Sequence, residues 1–465
     1  MSPLRAILGG VLGAGKHYNG DEDRGERVIK KYSNGYLVYV ILVLTLASTF
    51  SIIDRQILNV MIGPVQRDLG GISDFEISLI MGFAFTFLYS ILSYPAGWIA
   101  DRYNRRNLMA AGIFSWSVLT MLCGAASQYW QLFLARMGVG VGEATLGPAA
   151  NSTLADYFDE NRLPLAIGIV SAAPFIGQGL ANIAGGPLID YLEASPNFVV
   201  PIIGEVFSWQ MVFLVVGAPG ILIAGAAMLM REPERQGLMN ESGDGATFAQ
   251  VWEFVKTRRK FFFFVFTAYL CLATQGWSLF SWLVEYFVRN HEWTRTEIGL
   301  VYGNIAMWVG ILGSVLGGLW AGRIMAKKPD ATLWIVMLGT VVLFCLAPVL
   351  TLVENPWVAI GLLVPVTFCM AMPPGLIMAT LQAIAPNELR GQMVAFYLIA
   401  VNFLSYTFAP SLPAYLSDHV FESPLALGKS ISILAVVNYA IAVVCLALCL
   451  KYYRQALQAA RTWQQ

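Results

Sequence analysis

The feature that most constrains this chain is a series of long apolar segments separated by short polar ones. An α-helix needs about 20 mostly apolar residues to cross a hydrocarbon layer of about 30 Å. Charged residues make up 12% of the chain, whereas a soluble domain has about 25%, so polar side chains are too few to cover a water-exposed surface. The sequence therefore predicts an all-α membrane protein whose apolar segments cross the bilayer as helices.

Twelve segments satisfy this length and composition, and we number them span one to span twelve in chain order. They lie at 36–62, 76–100, 107–127, 130–156, 163–189, 209–230, 261–288, 297–325, 332–353, 357–384, 391–416 and 430–450. The ends predict polar tails at 1–35 and 453–465. We expect no cleavable signal peptide in the first tail, so the first span would carry the targeting information.

The positions of lysine and arginine orient the spans. With the N-terminus in the cytoplasm, 23 of the 29 Lys and Arg residues lie in cytoplasmic segments, as the positive-inside rule requires. We therefore expect both termini and the charged segment 231–260 to face the cytoplasm, and the short loops favour a bacterial inner membrane. The other six basic residues are Arg67, Arg289, Arg295 and Lys429 in outer segments, and Arg55 and Arg136 within spans.

The chain contains a weak internal repeat. Residues 73–102 align without a gap on 294–323 after a shift of 221 positions, with eight identical residues in 30. Span two therefore corresponds to span eight, six helices later. This register predicts an N-terminal six-helix bundle at 36–230 and a C-terminal one at 261–452, joined by the cytoplasmic linker 231–260. Two such halves around a midplane site are typical of secondary transporters.

A cytoplasmic motif follows span two: Gly97-Trp98-Ile99-Ala100-Asp101-Arg102-Tyr103-Asn104-Arg105-Arg106. It resembles the GxxxDRxGRR signature of the major facilitator superfamily, and together with the spans, the repeat and the linker this resemblance covers nearly the whole chain. It implies a major-facilitator-type fold, with twelve transmembrane helices in two pseudo-symmetric six-helix bundles. Asn104 stands where the family usually has glycine, and we expect it to keep the turn because asparagine tolerates left-handed backbone.

The chemistry of this motif indicates a gate formed by Asp101, Arg102, Arg105 and Arg106. Asp101 ends span two on the cytoplasmic face, where span eleven begins near Gly391 with unpaired N–H groups and a positive dipole end. A contact between the two would close the cytoplasmic side and break when the halves rock. The alternative is that Asp101 only pairs with Arg102 or Arg105 at the headgroup boundary.

Four charged residues lie inside predicted spans, where each costs about 2.5–3.5 kcal/mol on insertion scales and usually faces a cavity or a partner. Span one carries Asp54 and Arg55, whose side chains point about 100° apart. Span four carries Arg136 and Glu143, which lie on one helix face about 10 Å apart. Either these charges line a cavity, or Arg136 and Glu143 form a static structural ion network.

The Asp-Arg pair in span one and the pattern RxxxGxGEA in span four, at 136–144, resemble the spinster family of lysolipid and sphingolipid transporters. The resemblance implies that these charges line a central cavity. It assigns proton coupling to Glu143 and Asp54, and substrate binding to Arg136, with Arg55 following by its position.

Two further observations qualify this resemblance. The four residues from Trp282 in span seven read Trp-Leu-Val-Glu, where many family members have a tryptophan, a small residue and a proline, and this leaves the substrate open. The three glycines of span four, Gly138, Gly140 and Gly142, are better explained by close helix packing than by ligand contact.

The leading hypothesis is a secondary active transporter that works by alternating access, is coupled to protons and moves an amphipathic anionic lipid such as a lysophospholipid or a sphingosine-phosphate-like molecule. Protonating one carboxylate of the formally neutral charge set would leave net charge +1, which attracts an anion; symport and antiport both remain open. The alternatives are a drug or small-metabolite efflux carrier of the same superfamily and, from another class, a non-transporting membrane receptor or scaffold.

Other classes of function have no support in the sequence. No Walker A loop, Ser-His-Asp arrangement or metal-ligand spacing occurs, so we expect neither an enzyme nor a cofactor nor a metal site. The formal net charge is zero, and we expect no nucleic-acid partner. The expected partners are an amphipathic small molecule or lipid, protons and membrane lipids, and we expect the chain to act as a monomer.

Overall fold

The computed structural model describes residues 32–159, 162–195, 198–200, 204–235, 248–325, 328, 330–386, 389, 393, 397 and 401–461. These residues form an almost entirely helical molecule. The physical reason is that the bilayer core offers no water to backbone N–H and C=O groups, so each apolar segment pairs them internally.

The helices follow the predicted spans in order. Spans one to six are Asn34–Val60; Asp74–Leu79, the π-helical Ile80–Ala84 and Phe85–Arg102; Arg105–Cys123; Tyr129–Glu143 with Leu146–Tyr157; Leu163–Glu193; and Ser208–Met228. Spans seven to twelve are Arg259–His291; Arg295–Asn304, the π-helical Ile305–Val309 and Gly310–Met325; Ala331–Leu350; Pro356–Ala371 with Pro373–Ile384; Phe403–Tyr415 with the π-helical Leu416–Val420; and Leu427–Arg461. Outside them lie helices Ile62–Asp68 and Phe248–Thr257, the 3-10 turn Pro424–Ala426, and an antiparallel ribbon of Phe198–Val200 with Gly204–Val206.

Nine helices in the described part of the chain are long and apolar enough to cross a membrane. The remaining three predicted spans are helical as well. Span three is a single helix, span four breaks after Glu143, and span eleven is described at residues 393 and 397 and from residue 401 onward. The all-α membrane architecture is therefore confirmed, with a helix at each of the twelve predicted positions. The last helix runs on to Arg461, so the predicted C-terminal tail begins as helix.

The two repeat segments begin with the same local structure. The hydroxyl of Ser73 accepts the N–H of Glu76 at the start of span two, and the hydroxyl of Thr294 accepts the N–H of Glu297 at the start of span eight. In both places the glutamate carboxylate accepts the N–H of the capping residue in return, which completes a capping box. The shift of 221 positions superimposes the two boxes, so the repeat in sequence is also one in structure.

The two halves pack closely at the end of the molecule that the sequence predicts to face outward, which we call the outer side. A Cβ on Gly303 of span eight would lie 2.7 Å from the backbone oxygen of Gly179 in span five. Gly82, its repeat partner in span two, approaches span eleven equally closely, since its Cβ would lie 2.6 Å from the carbonyl oxygen of Tyr406. Gly168 shares a helix face with Gly179, three turns nearer the end predicted to face the cytoplasm, and a Cβ there would meet nothing within 4 Å. The described halves are therefore in close backbone contact at the outer side.

Candidate functional site

Arg55 and Glu143 form an ion pair between spans one and four. Nη2 of Arg55 lies 2.6 Å from Oε2 of Glu143, and its Nε donates to the same oxygen at 2.7 Å. Ser51, one turn earlier in span one, donates its hydroxyl to that oxygen at 2.5 Å. Both donor residues thus converge on one carboxylate oxygen, whereas Oε1 of Glu143 is buried without a hydrogen-bond partner among the described residues.

Span four reaches its neighbours closely because it lacks side chains at the contacts. A Cβ on Gly142 would lie 2.8 Å from the backbone nitrogen of Trp116 in span three, and one on Gly140 would collide with the carbonyl oxygen of Phe85 in span two. The packing role expected of these glycines is therefore confirmed. The first helix of span four ends at Glu143, directly after them.

Arg136 points at the backbone of span one. Its Nη1 donates to the carbonyl oxygen of Asp54 at 2.8 Å, and its Nη2 donates to that of Arg55 at 3.5 Å. The side chain has no exposed surface, and its guanidinium carbon lies 5.8 Å from the ring centroid of Phe85. The cation that faces Glu143 is therefore Arg55, and Arg136 holds span one through its carbonyl groups.

Asp54 faces span three, away from Arg55. Its Oδ2 accepts a hydrogen bond from the hydroxyl of Thr120 at 3.1 Å. Its Oδ1 has no partner among the described residues, although the residue is buried. Burying a polar atom without a partner is costly, and this cost is the structural reason to keep Asp54 as a proton-binding candidate.

A central cavity lies beside Arg55, between the two halves. Its lining comes from spans one and two on one side and spans seven and eleven on the other: Arg55, Gln56, Asn59, Met81, Phe85, Trp277, Ser281, Tyr406 and Pro410. The guanidinium carbon of Arg55 lies 4.5 Å from the ring centroid of Phe85, and the rings of Trp277 and Tyr406 pack 4.3 Å apart. Of the four charged residues within spans one and four, Arg55 is the one in the lining.

The sequence interpretation missed Gln56 and Asn59, which continue the polar face of span one. The signal was available, because amide side chains are rare within an apolar span and these two lie one and four residues after Arg55. The amide of Asn59 donates to that of Gln56 at 2.5 Å. In the part of the chain that is described, no group of three His, Cys, Asp or Glu side chains could hold a metal ion.

The cytoplasmic motif contains exposed and buried residues. Asp101 is exposed, and the guanidinium carbon of Arg102 lies 4.3 Å from the ring centroid of Trp98. The expected partner of Asp101, the start of span eleven near Gly391, lies outside the described residues. The gating contact of Asp101 therefore stays a prediction.

Asn104 keeps the turn of this motif by a different route from the one expected. Its backbone is extended, with φ −68° and ψ 112°, so the expectation of left-handed backbone was wrong. The side-chain oxygen accepts the N–H of Asn107 at 2.9 Å, which caps the first turn of span three. Asparagine is among the best capping residues, and glycine would lack this hydrogen bond.

Arg105 ties together three helix ends of the N-terminal half. Its side chain is 1% exposed and binds Asp156 at 2.5 Å and Glu232 at 2.9 Å. Burial alone would lower the pKa of Arg105, but the hydrogen bonds to Glu232 and Asp156 raise it above its ordinary value. Arg106 joins the same cluster, since its backbone N–H donates to Glu232 at 2.9 Å. These contacts lie within one half of the molecule and join the ends of spans three, four and six.

A second charged network lies at the outer side, and the sequence interpretation missed it. Arg289 of span seven binds Asp74 of span two at 2.7 Å and Glu285, one turn earlier, at 2.8 Å. Arg295 approaches Glu285 at 3.8 Å and Glu193 of span five at 3.6 Å. Arg289 and Arg295 appeared only as basic residues of outer segments, because their acidic partners lie in distant parts of the chain. The network joins the two halves where they pack closely.

Comparisons with known proteins agree with this architecture. The model of the Major Facilitator Superfamily matches residues 44–410. An MFS-type efflux pump of Mycolicibacterium smegmatis is 25% identical over 90% of this chain and 94% of that protein. A probable galactarate/D-glucarate transporter of Bacillus subtilis is 26% identical over 69% and 73%. Protein spinster homolog 1 of Rattus norvegicus is 25% identical over 66% and 58%.

A solved structure matches the fold over nearly its whole length. It is a bacterial homolog of the human lysosomal transporter spinster in an inward-facing and unoccupied conformation. The TM-score is 0.75 at 24% identity, and the match covers 92% of this chain and 99% of that one. The two-bundle fold and the resemblance to spinster proteins are therefore confirmed. The chain belongs to the Major Facilitator Superfamily, whose members are membrane transporters and not enzymes.

Proposed function

We propose that this chain is a proton-coupled secondary transporter that moves an amphipathic anionic lipid, such as a lysophospholipid or a sphingosine-phosphate-like molecule, across a bacterial inner membrane. In this proposal it works by alternating access, as a monomer with both termini in the cytoplasm. The observation that carries the proposal is the position of Arg55, which lines the central cavity and is at the same time bound to Glu143.

The pair explains how a proton and an anion could be coupled. While Glu143 is ionised, its carboxylate neutralises Arg55, and the cavity offers no free positive charge. A proton on Glu143 would remove that charge, and Arg55 could then bind a phosphate or carboxylate through charge-assisted hydrogen bonds. An anion bound to Arg55 would in turn favour the protonated glutamate. The proton and the anion therefore bind to the same state of the transporter and cross the membrane together, so the proposed mode of transport is symport.

The other two charged residues would support this exchange. Arg136 donates to the carbonyl oxygens of Asp54 and Arg55, so it can keep the polar turn of span one in register with Glu143. Asp54 has a buried oxygen without a partner among the described residues. We propose it as a second proton site and Arg136 as a positioning residue beside the substrate ligand Arg55.

The lining favours an amphipathic substrate. Phe85, Trp277 and Tyr406 give apolar surface next to a single cation. Aromatic rings accept acyl chains and apolar bodies, while the guanidinium selects an acidic head group. The fold relationship with spinster proteins agrees with a substrate of this kind.

A second candidate substrate is a small hydroxylated organic acid. Gln56, Asn59 and Ser281 also line the cavity and could bind hydroxyl groups. The Bacillus subtilis relative is described as a transporter of sugar diacids. In this case Arg55 would bind a carboxylate, and the coupling to Glu143 would be the same.

Transport by purified protein in liposomes tests both candidates. We expect uptake of a labelled lysophospholipid or of a labelled aldarate to follow an imposed pH gradient and to collapse when a protonophore is added. Arg55→Gln should abolish uptake, whereas Arg67→Gln, a change at an exposed outer arginine, should leave it intact. If the pH gradient drives uptake of the aldarate but not of the lysophospholipid, the substrate is the hydroxylated acid and not the lipid. Uptake of neither anion, with or without the gradient, would refute the proposal.

A further inference from the structure

Two carboxylates at the outer side bind backbone N–H groups of the opposite half. Asp190 lies near the outer end of span five, and its Oδ2 accepts the N–H of Thr296 at 2.8 Å and the hydroxyl of Thr296 at 2.7 Å. Asp418 lies near the outer end of span eleven, and its Oδ2 accepts the N–H of Phe75 at 2.7 Å. Each contact joins the end of one helix to the start of a helix in the other half.

The two contacts are related by the internal repeat. The shift of 221 positions that aligns span two with span eight places Phe75 on Thr296. Asp190 and Asp418 are 228 positions apart, because spans five and eleven align with a shift of 228 in place of 221. This shift of 228 also places Ile183 on Ser411, and these two residues face span eight and span two, respectively. Asp190 and Asp418 are therefore symmetry-related residues that make symmetry-related contacts. A chance surface hydrogen bond would have no reason to recur in this way.

The capping boxes explain why these N–H groups are available. The first N–H groups of a helix have no partner within the helix, and the helix dipole places partial positive charge there. Ser73 and Thr294 accept the N–H of the third residue of their helices. The N–H of the second residue, Phe75 or Thr296, is not used by the box. In both helices the carboxylate of the other half takes it.

We propose that Asp190 and Asp418 form a pair of symmetric clamps that hold the outer side closed. Rocking of the halves would separate each carboxylate from its helix, so both clamps would open in the outward-open state. The helices that they hold are long, Asp74–Arg102 and Arg295–Met325, and carry their motion to the cytoplasmic side. The inference does not depend on which solute the cavity accepts.

Two cysteine reporters would test the clamps. Ser78→Cys reports the outer side, because Ser78 is fully buried between spans two and eleven. Gly168→Cys reports the cytoplasmic side, where a Cβ meets nothing within 4 Å. Both cysteines would be labelled with a membrane-impermeant maleimide. Ser78→Cys would be labelled from outside in spheroplasts, and Gly168→Cys would be labelled from the cytoplasmic face in inverted vesicles. The clamp variants are Asp190→Asn, Asp418→Asn and the double variant. The matched control is Asp68→Asn, because Asp68 also lies on the outer side but pairs with its neighbour Arg67.

The clamps predict opposite changes at the two reporters. We expect each single variant to raise outer labelling by at least about threefold and to lower cytoplasmic labelling, with a larger effect in the double variant, because the population shifts toward the outward-open state. Asp68→Asn should change neither rate. Unchanged labelling at both reporters would overturn the proposal. Increased labelling at both would overturn it too, since it would mean general loosening of the helices.

Discussion

The side-chain oxygens of Ser78 and Ser411 lie 3.2 Å apart, with one residue on span two of the N-terminal half and the other on span eleven of the C-terminal half. Both side chains are buried. The contact lies one turn inward from the bond between Phe75 and Asp418. It is therefore a direct measure of whether the outer side is closed.

This distance predicts a cross-link that stops the transport cycle. In the variant Ser78→Cys with Ser411→Cys, we expect the two sulfur atoms to form a disulfide under mild oxidation, because the side-chain oxygens that they replace lie 3.2 Å apart and an S–S bond is about 2 Å long. Oxidation should abolish transport, and a reductant should restore it. A protease site engineered into the segment 236–247 allows the two halves to be cut apart, and the disulfide then keeps them together on a non-reducing gel. The single variant Ser78→Cys is the control. Full transport by the cross-linked protein would show that the outer side need not open.

Glu143→Gln should separate binding from energetic coupling. The amide mimics the protonated side chain, so Arg55 stays free of the opposing carboxylate charge. We expect gradient-driven uptake to fall by at least about tenfold and substrate counterflow to persist. The same assay repeated at several pH values should show no dependence on the group that has been replaced. If the variant keeps the pH dependence of the parent, the coupling group is elsewhere, and Asp54 is the first candidate.

Replacing the two span arginines should have different effects. Arg55→Lys keeps the positive charge but loses the planar group that binds Glu143 through two nitrogen atoms, so substrate affinity should fall by about tenfold or more. Arg136→Lys loses the planar group whose two nitrogen atoms donate to the carbonyl oxygens of Asp54 and Arg55, and we expect it to lower thermal stability in addition to affinity. Ligand binding and thermal unfolding of the purified variants measure both quantities. If Arg136→Lys lowers substrate affinity as much as Arg55→Lys does and leaves thermal stability unchanged, Arg136 contacts the substrate directly.

Arg105→Met should destabilise the N-terminal half without a specific effect on coupling. The change leaves Asp156 and Glu232 without the buried cation that now joins them, and breaking a buried ion pair in this way costs about 3–5 kcal/mol. We expect a clearly lower unfolding temperature in detergent and an unchanged ratio of gradient-driven uptake to counterflow in the protein that remains folded. Arg106→Met is the control, because the contact of Arg106 with Glu232 includes a backbone N–H that the substitution keeps. Parent-like stability would refute the structural role.

Asp101→Asn should shift the molecule toward the cytoplasm-open state. The predicted lock holds the cytoplasmic side closed, so its loss should raise cytoplasmic labelling of Gly168→Cys and speed the oxidation of the Ser78→Cys, Ser411→Cys pair. Asp159→Asn, at another cytoplasmic helix end, is the control. Accessibility equal to that of the parent at both positions would leave Asp101 with a role at the headgroup boundary only.

Much of the fold follows from local sequence, because helices in a membrane satisfy their own backbone. Apolar length located the spans, and the Ser73–Glu76 and Thr294–Glu297 spacings are capping boxes that can be recognised within four residues. Helical periodicity also predicted that the side chains of Asp54 and Arg55 point in different directions. In the structure Asp54 faces Thr120 and Arg55 faces Glu143.

The partners of the charged residues were decided by the tertiary structure. Periodicity put Arg136 and Glu143 on one face of span four, but Glu143 binds Arg55, and Arg136 binds carbonyl oxygens of span one. Likewise, Asp190 and Thr296 are 106 positions apart, and nothing in either local segment relates them. The physical reason is that a helix determines its own hydrogen bonds and faces through neighbours three and four residues away, whereas a contact between helices depends on how glycines, side-chain volumes and the rocking of two halves bring distant faces together.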